Sequence, residues 1–587
     1  MRRLFLLLLG MLAFATQMAA SSPRYCVVWA DGTRSESPEI ENWGAANWKP
    51  SLARHLIFDN KNPARLIIDT TLTRRRRSAP YLELQSGDRL AGRVMEYREA
   101  DAALGLPAHF LVEPSLALDL PGVFTRLQVR VRADAVRRIV AQRDIQHGKS
   151  SNWLQTVDGR RETFRSWRWR STGLDVLTGS GVRHFELPEL AAVEIDRASS
   201  WEAWLRQLAV LSPALDSPLI SMELSDGSHL TTSLERLLPL TFGGEGADCW
   251  FHLCQPAWSL DLLAVPYRQV RMRCIFKPTE TPLGVLEPAL SRGQGIVAAP
   301  VEPHANENLE GEGLHCAGSE FGWGIAVHAP HELAFDLPQS ARTFRTRLGL
   351  DAAVGDGGCA RGFIRLDGKT LFASPLLVGS QKVAGGAPLP VGGGRLVLIA
   401  DAAVKERPAN ADPFDIRDNL NWLEPVVEHD AVELRRDVER QSSSAQPALS
   451  GWTSDAGDVD RWRLVNLLDE VDAAGAGFRQ VIALEGPLTL SRRVAAGPSS
   501  RTVHLTLGRS IVSEAVSVEI WVDSQRAAHE TLFRQRAAME PSRIAIPLPD
   551  SSENSVLLKV RLAPIQKPGL IDWRGVSDEH GKPIADR

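Results

Sequence analysis

The sequence predicts an all-β, multidomain protein, and three observations carry that prediction. Short apolar-polar alternations recur from Tyr25 to Val560, Asp-Gly and Gly-Asp turns punctuate them, and helix-period runs are rare. At 587 residues the chain is too long for one hydrophobic core, and a prior of about 150 residues per domain gives roughly four units. The net charge of -4 is small for this size, which argues against a general nucleic-acid binder.

The chain opens with Met1-Arg2-Arg3 and an apolar run from Leu4 to Leu12, the charged start and short core of a secretory signal. The run falls short of the ~20 residues that span a bilayer. Residues 1-20 are therefore expected to be a signal peptide, cut after Ala15 or Ala20, and no later segment is long and apolar enough to span. The expected localisation is secreted or periplasmic. An N-terminal β segment, 21-78, follows, with strands at Tyr25 to Ala30, Leu56 to Asp59 and Leu66 to Asp69. Its basic run Arg74 to Arg77 reads as an exposed loop between units rather than an anion or protease site.

Residues 79-277 carry a pattern that repeats: strand, tight turn, strand, a variable stretch, then a closing strand. The copies run from Leu82 to Ile139 through Gly87-Asp88, from Leu154 to Ile195 through Asp158-Gly159, and from Ile220 to Val270 through Asp226-Gly227. Each forms a small twisted sheet that needs neighbours to bury its apolar face. Within the second, Arg165 to Arg170 alternates arginine with tryptophan, so Trp167 and Trp169 share one face and are expected in the core. Trp201 to Leu211 is the clearest helical period and is expected to pack between copies.

The segment 278-430 has the densest set of agreeing signals. Leu333, Phe335 and Leu337 alternate as on a half-buried strand, Phe344 to Leu350 alternates again, and Asp351 to Gly358 is a glycine-rich loop. Asp367-Gly368 supplies the positive φ angles of a two-residue hairpin joining Phe363-Leu366 to Thr370-Phe372. A last strand, Leu396 to Asp401, leads through a polar loop to Asp418-Asn419-Leu420-Asn421-Trp422.

The ordered set Gly324-Ile325-x-x-His328-Ala329-Pro330, Gly349-Leu350-Asp351, Leu366-Asp367-Gly368-Lys369 with Ser374-Pro375, Leu398 to Ala402 and Asp418 to Trp422 resembles the NPCBM family, carbohydrate-binding modules of secreted bacterial proteins. The resemblance implies a jelly-roll-like β-sandwich that binds a glycan or polysaccharide without chemistry. The repeats before it resemble, in pattern, the SH3-like small barrels that precede such modules. A sugar site needs an aromatic platform and a few polar groups, because a pyranose has an apolar face and a rim of hydroxyls. The candidates near loops are Trp323, His328, Asp351, Asp356, Asp418, Asn421 and Trp422.

The motifs that suggest chemistry fail on spacing or context. Gly362 to Thr370 looks like a phosphate loop but has one residue too many between its glycines and alternates as a strand. His331-Glu332 lacks the second histidine of a helical zinc site, and Cys249-x4-Cys254 with His252 lacks a second ligand pair. No catalytic or metal-ligating residue is named, and calcium is the one cofactor left open. The six cysteines, Cys26, Cys249, Cys254, Cys274, Cys316 and Cys359, are compatible with disulfides in an exported chain.

Residues 431-451, ending in a Ser/Gln/Pro-rich run, read as a flexible linker. Residues 452-587 hold strands at Val503 to Leu507, Val516 to Val522, Ile544 to Leu548 and Ser555 to Val560, a second β-sandwich of galactose-binding-like shape. The leading reading is a secreted, non-catalytic carbohydrate-binding protein. A cell-surface scaffold without sugar binding and a glycan-active enzyme are the alternatives, and the oligomeric state is not legible.

Overall fold

The computed structural model describes residues 23-578, apart from 44-47, 60, 77, 101-105, 120-127, 143-151, 196-199, 243-248, 296-300, 446-451, 455-461, 470-476, 496-501, 510-514, 533-541, 550-554 and 566-568. The expected signal peptide lies outside the described residues. The chain is nearly all β, and among the described residues the only two α-helices are Ser200–Leu211 and Ala431–Ala445.

The N-terminal half is built on one continuous 14-stranded sheet to which four units each give three strands, the first copy adding His109–Pro114 and Val129–Arg132. In the first copy Tyr81–Leu84 pairs with both Arg89–Arg98 and the closing strand Val136–Val140. Trp153–Thr156 does the same with Arg161–Thr163 and Leu190–Glu194, and Leu219–Leu224 with His229–Ser233 and Val270–Phe276. In each copy a 3-10 turn precedes the closing strand, at Ala133–Ala135, Leu187–Glu189 and Tyr267–Gln269. The segment before them is a fourth, reduced copy: Tyr25–Trp29 pairs with Arg34–Ser37 and Ala64–Asp69. The units meet alternately, closing strand to closing strand (Val136–Val140 with Leu190–Glu194, Ala64–Asp69 with Val270–Phe276) and hairpin strand to hairpin strand at Arg89↔His229.

The tight turns identify the repeat. The glycine amide of each returns to the carbonyl three residues back: Gly32 to Trp29, Gly87 to Leu84, Gly159 to Thr156 and Gly227 to Leu224. Their φ angles are 85°, 87°, 87° and 88°, the left-handed position of a type I turn closed by a bulge, which glycine enters without steric cost. A second shared bond runs from the turn to the residue group before the closing strand: Ala30 to Pro63, Gln85 to Ala135, Val157 to Glu189 and Ser225 to Gln269.

The joints between units hold buried charge. Asp88, in the first copy's turn, accepts from the Thr231 amide (2.9 Å), the Thr231 hydroxyl (2.6 Å) and the Trp258 indole (2.8 Å) of the third. Burial pushes its carboxyl up to about 6. Burial would also raise Glu223, but Arg74, His229 and Arg271 hold it down at about 2. The run Arg74 to Arg76 is exposed at Arg75 and Arg76 but tied down at Arg74, which pairs with Glu223 and donates to the Asn306 carbonyl, while Arg76 pairs with Glu312 at the surface. Trp169 is buried edge-on to Phe110, with ring centroids 4.9 Å apart, while Arg168 stays exposed.

The central segment is a sandwich of a seven-stranded and a six-stranded sheet. The first is ordered His304–Ala305, Gly324–His328, Asn419–His429, Ala341–Leu350 and Val383–Gly385, with Glu280–Pro282 and Leu389–Pro390 added at its flanks. The second runs Leu290–Gly293, His331–Leu337, Gly394–Asp401, Cys359–Leu366 and Lys369–Ala373, with Leu377–Val378 beside Cys359–Leu366. Asp367 (φ 48°) and Gly368 (φ 82°) form the two-residue turn between the last two long strands, so the phosphate-loop lookalike is a hairpin. A third region packs two five-stranded sheets, bounded by Thr453–Ser454 and Gly569–Ser577, around a core of its own. It touches the repeats through Asn466, whose amide oxygen accepts from Arg236 at 2.6 Å and whose amide nitrogen donates to Leu211.

The expected linker is corrected. Residues 431-451 are helical over Ala431–Ala445 instead of a linker throughout: Asp430 caps the helix by accepting from the Val432 and Glu433 amides, and Leu434 and Val438 are buried. The six cysteines are free thiols. Cys26 and Cys274 lie on strands separated by Ala64–Asp69, two interstrand steps of about 4.8 Å and therefore beyond the ~7 Å that a disulfide spans.

Candidate functional site

The loops at one end of the central sandwich are bound to one another. Ala317 donates to the Ser380 carbonyl, Ser380 to Gly355, Gly379 to Gly358, and Asp412 to Gly357. Two buried carboxylates hold the set from below. Asp351 ends the strand Ala341–Leu350 and caps the 3-10 turn Ala352–Val354 by accepting from the Ala353 amide at 3.0 Å. Its other contacts are Asn421 at 2.6 Å and Asn308 at 3.3 Å, and Asn308 in turn accepts from the Glu310 and Glu312 amides. Asn421 also reaches the Cys316 thiol at 3.6 Å, which burial, with Asp351 nearby, pushes up to about 12.

Asp418 is the second anchor and has no exposed surface. It accepts from the Cys359 amide at 2.8 Å and pairs with Arg407. Burial raises its carboxyl, and Arg407 opposes the rise. Arg407 also donates to the carbonyls of Ala402 (2.6 Å), Asp412 (2.6 Å) and Cys359 (3.2 Å), so one guanidinium fastens both ends of the long loop Ala402 to Asp418 to the neighbouring strand. Breaking a buried pair of this kind costs about 3 to 5 kcal/mol, because the partner charge is left behind. The Ala329 amide donates to the Asp418 carbonyl, which brings the buried His328 strand end to the same anchor.

This scaffold presents an apolar platform. Phe414 is 52 % exposed at φ 60°, Ile416 is 40 % exposed, and Arg417 adopts φ 59°. Two bulky residues in the left-handed region within one loop are strained, and such strain persists only where the surroundings over-determine it. Here Asp415, between them, is fully buried, Arg417 pairs with Asp412 at 2.5 Å, and Gly358 lets the Arg417 carbonyl approach to where a Cβ would stand 2.5 Å away. The exposed Asn410 lies on the same loop as Phe414, and the exposed Asp356 lies on the loop that Asp412 bonds to through Gly357. A rigid aromatic face beside polar rim groups is the arrangement that stacks a flat, partly apolar ligand.

Of the seven residues that the sequence singles out, the structure brings Asp351, Asn421, Asp418 and His328 together beneath the loops, as supports. Asp356 is exposed above them. Trp422 lies in the core, paired in register with Ile325 and Leu348, because its strand is central to the seven-stranded sheet. Trp323 faces the repeats, with its ring 4.8 Å from that of Phe276 and Arg65 over it at 5.6 Å. Neither indole offers a face to solvent, whereas Phe414 does. Sequence reasoning missed Phe414 and Arg407. The available signal was the one aromatic of the Asp- and Pro-containing loop Pro408 to Asp418; Arg407, just before it, carries no comparable mark.

Other tempting groups are occupied. His252 accepts from the Trp43 indole at 3.0 Å, and His331 is bonded to Ser291 at 2.9 Å on a strand. Among the described residues no group of three His, Cys, Asp or Glu side chains is arranged to hold a metal ion.

Residues 283-412 match the model of the NPCBM/NEW2 domain. No curated protein matches the chain. Among solved structures, the chain is similar to CBM51 from Clostridium perfringens GH95 in complex with methyl-galactose, at 18 % identity and a TM-score of 0.22, covering 25 % of this chain and 99 % of that one. It is also similar to the M60 catalytic domain with the CBM51-1 and CBM51-2 domains of Clostridium perfringens ZmpB (12 % identity, TM-score 0.24, 75 % of this chain and 56 % of that one). A third is the CBM22 tandem of Paenibacillus barcinonensis Xyn10C (10 % identity, TM-score 0.16, 50 % and 98 %).

Proposed function

We propose that this chain is a secreted or periplasmic carbohydrate-binding protein without catalytic activity, which captures glycans at the loop end of its central sandwich. The family match over residues 283-412 supports carbohydrate binding. The observation that carries the location is the strained, over-determined loop that exposes Phe414 between polar neighbours. In this reading Phe414 and Ile416 stack on the sugar face, Asp356, Asn410 and Arg417 meet the hydroxyl rim, and Asp351, Asp418, Asn421, His328 and Arg407 hold the loops. The four-unit sheet at 21-277 and the sandwich at 452-587, of galactose-binding-like shape, are the scaffold that carries the module. Among the described residues no helix is long and apolar enough to cross a membrane.

A glycan array probed with the full chain and with Phe414→Ala tests this. Specific retention that falls about two- to twelvefold in the variant is expected, since stacking on one aromatic ring is worth about 0.5 to 1.5 kcal/mol. Silence of the full chain across plant, algal and bacterial glycans would favour the scaffold reading, and release of reducing sugar would favour the enzyme.

A further inference from the structure

The two sheets of the central sandwich differ on their outer sides. The outer side of the seven-stranded sheet is covered: the hairpin Leu314–Cys316 and Ser319–Phe321 packs on Ala326 and Leu423 in a closed apolar cluster. The outer side of the six-stranded sheet is open over its central strands, although Ala334 on the neighbouring strand is buried. Strand alternation assigns its residues: Leu396, Leu398 and Ala400 point into the core, and so do Gly362 and Ile364, which leaves Val397, Ile399 and Phe363 outward. These three are partly exposed, and among the described residues none belongs to a core cluster or packs against one.

The registers align the outward residues in rows across the strands. One row reads Arg292, Glu332, Ile399, Phe363, Ala373, and the next reads Leu290, Ala334, Val397, Arg365, Thr370. Neighbouring charges on this face are already paired, Arg361 with Glu406 and Arg395 with Asp336. Arg292 and Arg365 are different: among the described residues neither makes an ion pair or a side-chain hydrogen bond, and the single unpaired acid in the rows is Glu332. Two free guanidinium groups thus flank an apolar track from opposite sides.

We propose that this face is a second binding surface, distinct from the loop end, for an extended acidic polysaccharide lying across the strands. Four interstrand steps of about 4.8 Å give a track of about 19 Å, long enough for several consecutive sugar rings. The apolar faces of the rings lie on Phe363, Ile399 and Val397. The carboxylates of a uronic-acid chain meet Arg365 and Arg292, whose planar forks bind carboxylate bidentately. Glu332 accepts from ring hydroxyls between them. The assignment rests on the open face and its unpaired charges and stands whether or not the loop end binds sugar.

Affinity electrophoresis of the full chain in gels containing polygalacturonate, with dextran as the neutral control, tests it. Retention by polygalacturonate is expected, weakening at least fivefold in Phe363→Ala and separately in Arg365→Gln, falling with added salt, and persisting in Phe414→Ala. Arg365→Gln is a surface change that leaves the core untouched, so its loss of retention cannot come from misfolding. Equal mobility with and without polygalacturonate, or retention unchanged in both Phe363→Ala and Arg365→Gln, would overturn the proposal. Loss confined to Phe414→Ala would assign the polysaccharide to the loop end and overturn it equally.

Discussion

The repeat array and the central sandwich both bury charge, but to different ends. In the array, Asp88 with Thr231 and Trp258, and Glu223 with Arg74, sit between units and join surfaces that are already strands. In the sandwich, Asp351 with Asn308 and Asn421, and Asp418 with Arg407, sit beneath loops and fix segments that have no ladder of their own. The difference teaches where to look for function: polar groups buried between strands assemble the scaffold, whereas polar groups buried beneath loops aim whatever those loops expose.

The largest expected break is Arg407→Ala. It leaves Asp418 buried without its counter-ion and frees three carbonyls, at a cost of about 3 to 5 kcal/mol. Hydrogen exchange of the full chain should accelerate across 402-418 and 351-358 and stay unchanged in the array. Uniform acceleration would mean that the two regions are not separable in this way.

The second break is in the array and depends on pH. Asp88 has its carboxyl raised to about 6 from 3.8, so between these values the folded chain holds a proton that the unfolded chain has released. Its contribution to stability is full below 3.8 and is lost as the pH rises through 6. His229 runs the other way: burial lowers it from 6.5 to about 3, so its contribution grows as the pH rises from 3 to 6.5. Asp88→Asn removes the first slope and leaves the second. The stability of the array should then rise more steeply between pH 4 and 6, by up to about 3 kcal/mol across that interval. Thermal melts at pH 4, 5 and 6 with parallel slopes in wild type and variant would contradict the assignment.

The hairpin of the sandwich offers a smaller effect. Gly368 sits at φ 82° with nothing within 4 Å of an added Cβ, so Gly368→Val acts through backbone strain alone and should cost about 1 to 3 kcal/mol. The loss should appear in exchange of 359-373 and leave the array protected. The array turns sharpen the same point at smaller scale. Gly159 and Gly87 share φ 87°, but a Cβ on Gly159 meets nothing, whereas one on Gly87 stands 2.8 Å from Val285 Cβ. Gly159→Ala should cost about 1 kcal/mol from conformation, and Gly87→Ala measurably more. Equal costs would mean that Val285 yields freely.

Much of the scaffold was legible in the sequence because it is written locally. Asp367-Gly368 and the Asp-Gly turns of the repeats declare their φ angles in two residues, and the alternation at Leu333 to Leu337 declares a face. The fourth unit is less legible because, among the described residues, the stretch between Arg34–Ser37 and Ala64–Asp69 holds only the two-residue strands Ser51–Leu52 and His55–Leu56 where the other copies have longer middle strands. The site was legible only in its supports. Asp351 and Asn421 are 70 residues apart in sequence, and whether such residues touch ligand or hold loops depends on burial, which only the assembled sandwich decides. Trp422 looked like a platform for the same reason: an indole near a loop reads identically whether its strand is central or peripheral. Phe414 needed two left-handed residues and a buried arginine to be turned outward, none of which has a short-range signature.

The most direct test of the central claim is a hydrogen-exchange footprint of the full chain with a glycan selected on the array. Protection confined to 412-417 and 355-358, with the supports Asp351 and Asp418 already protected before ligand is added, is the predicted result. A footprint on the repeat array or the C-terminal sandwich, with these loops unchanged, would contradict it.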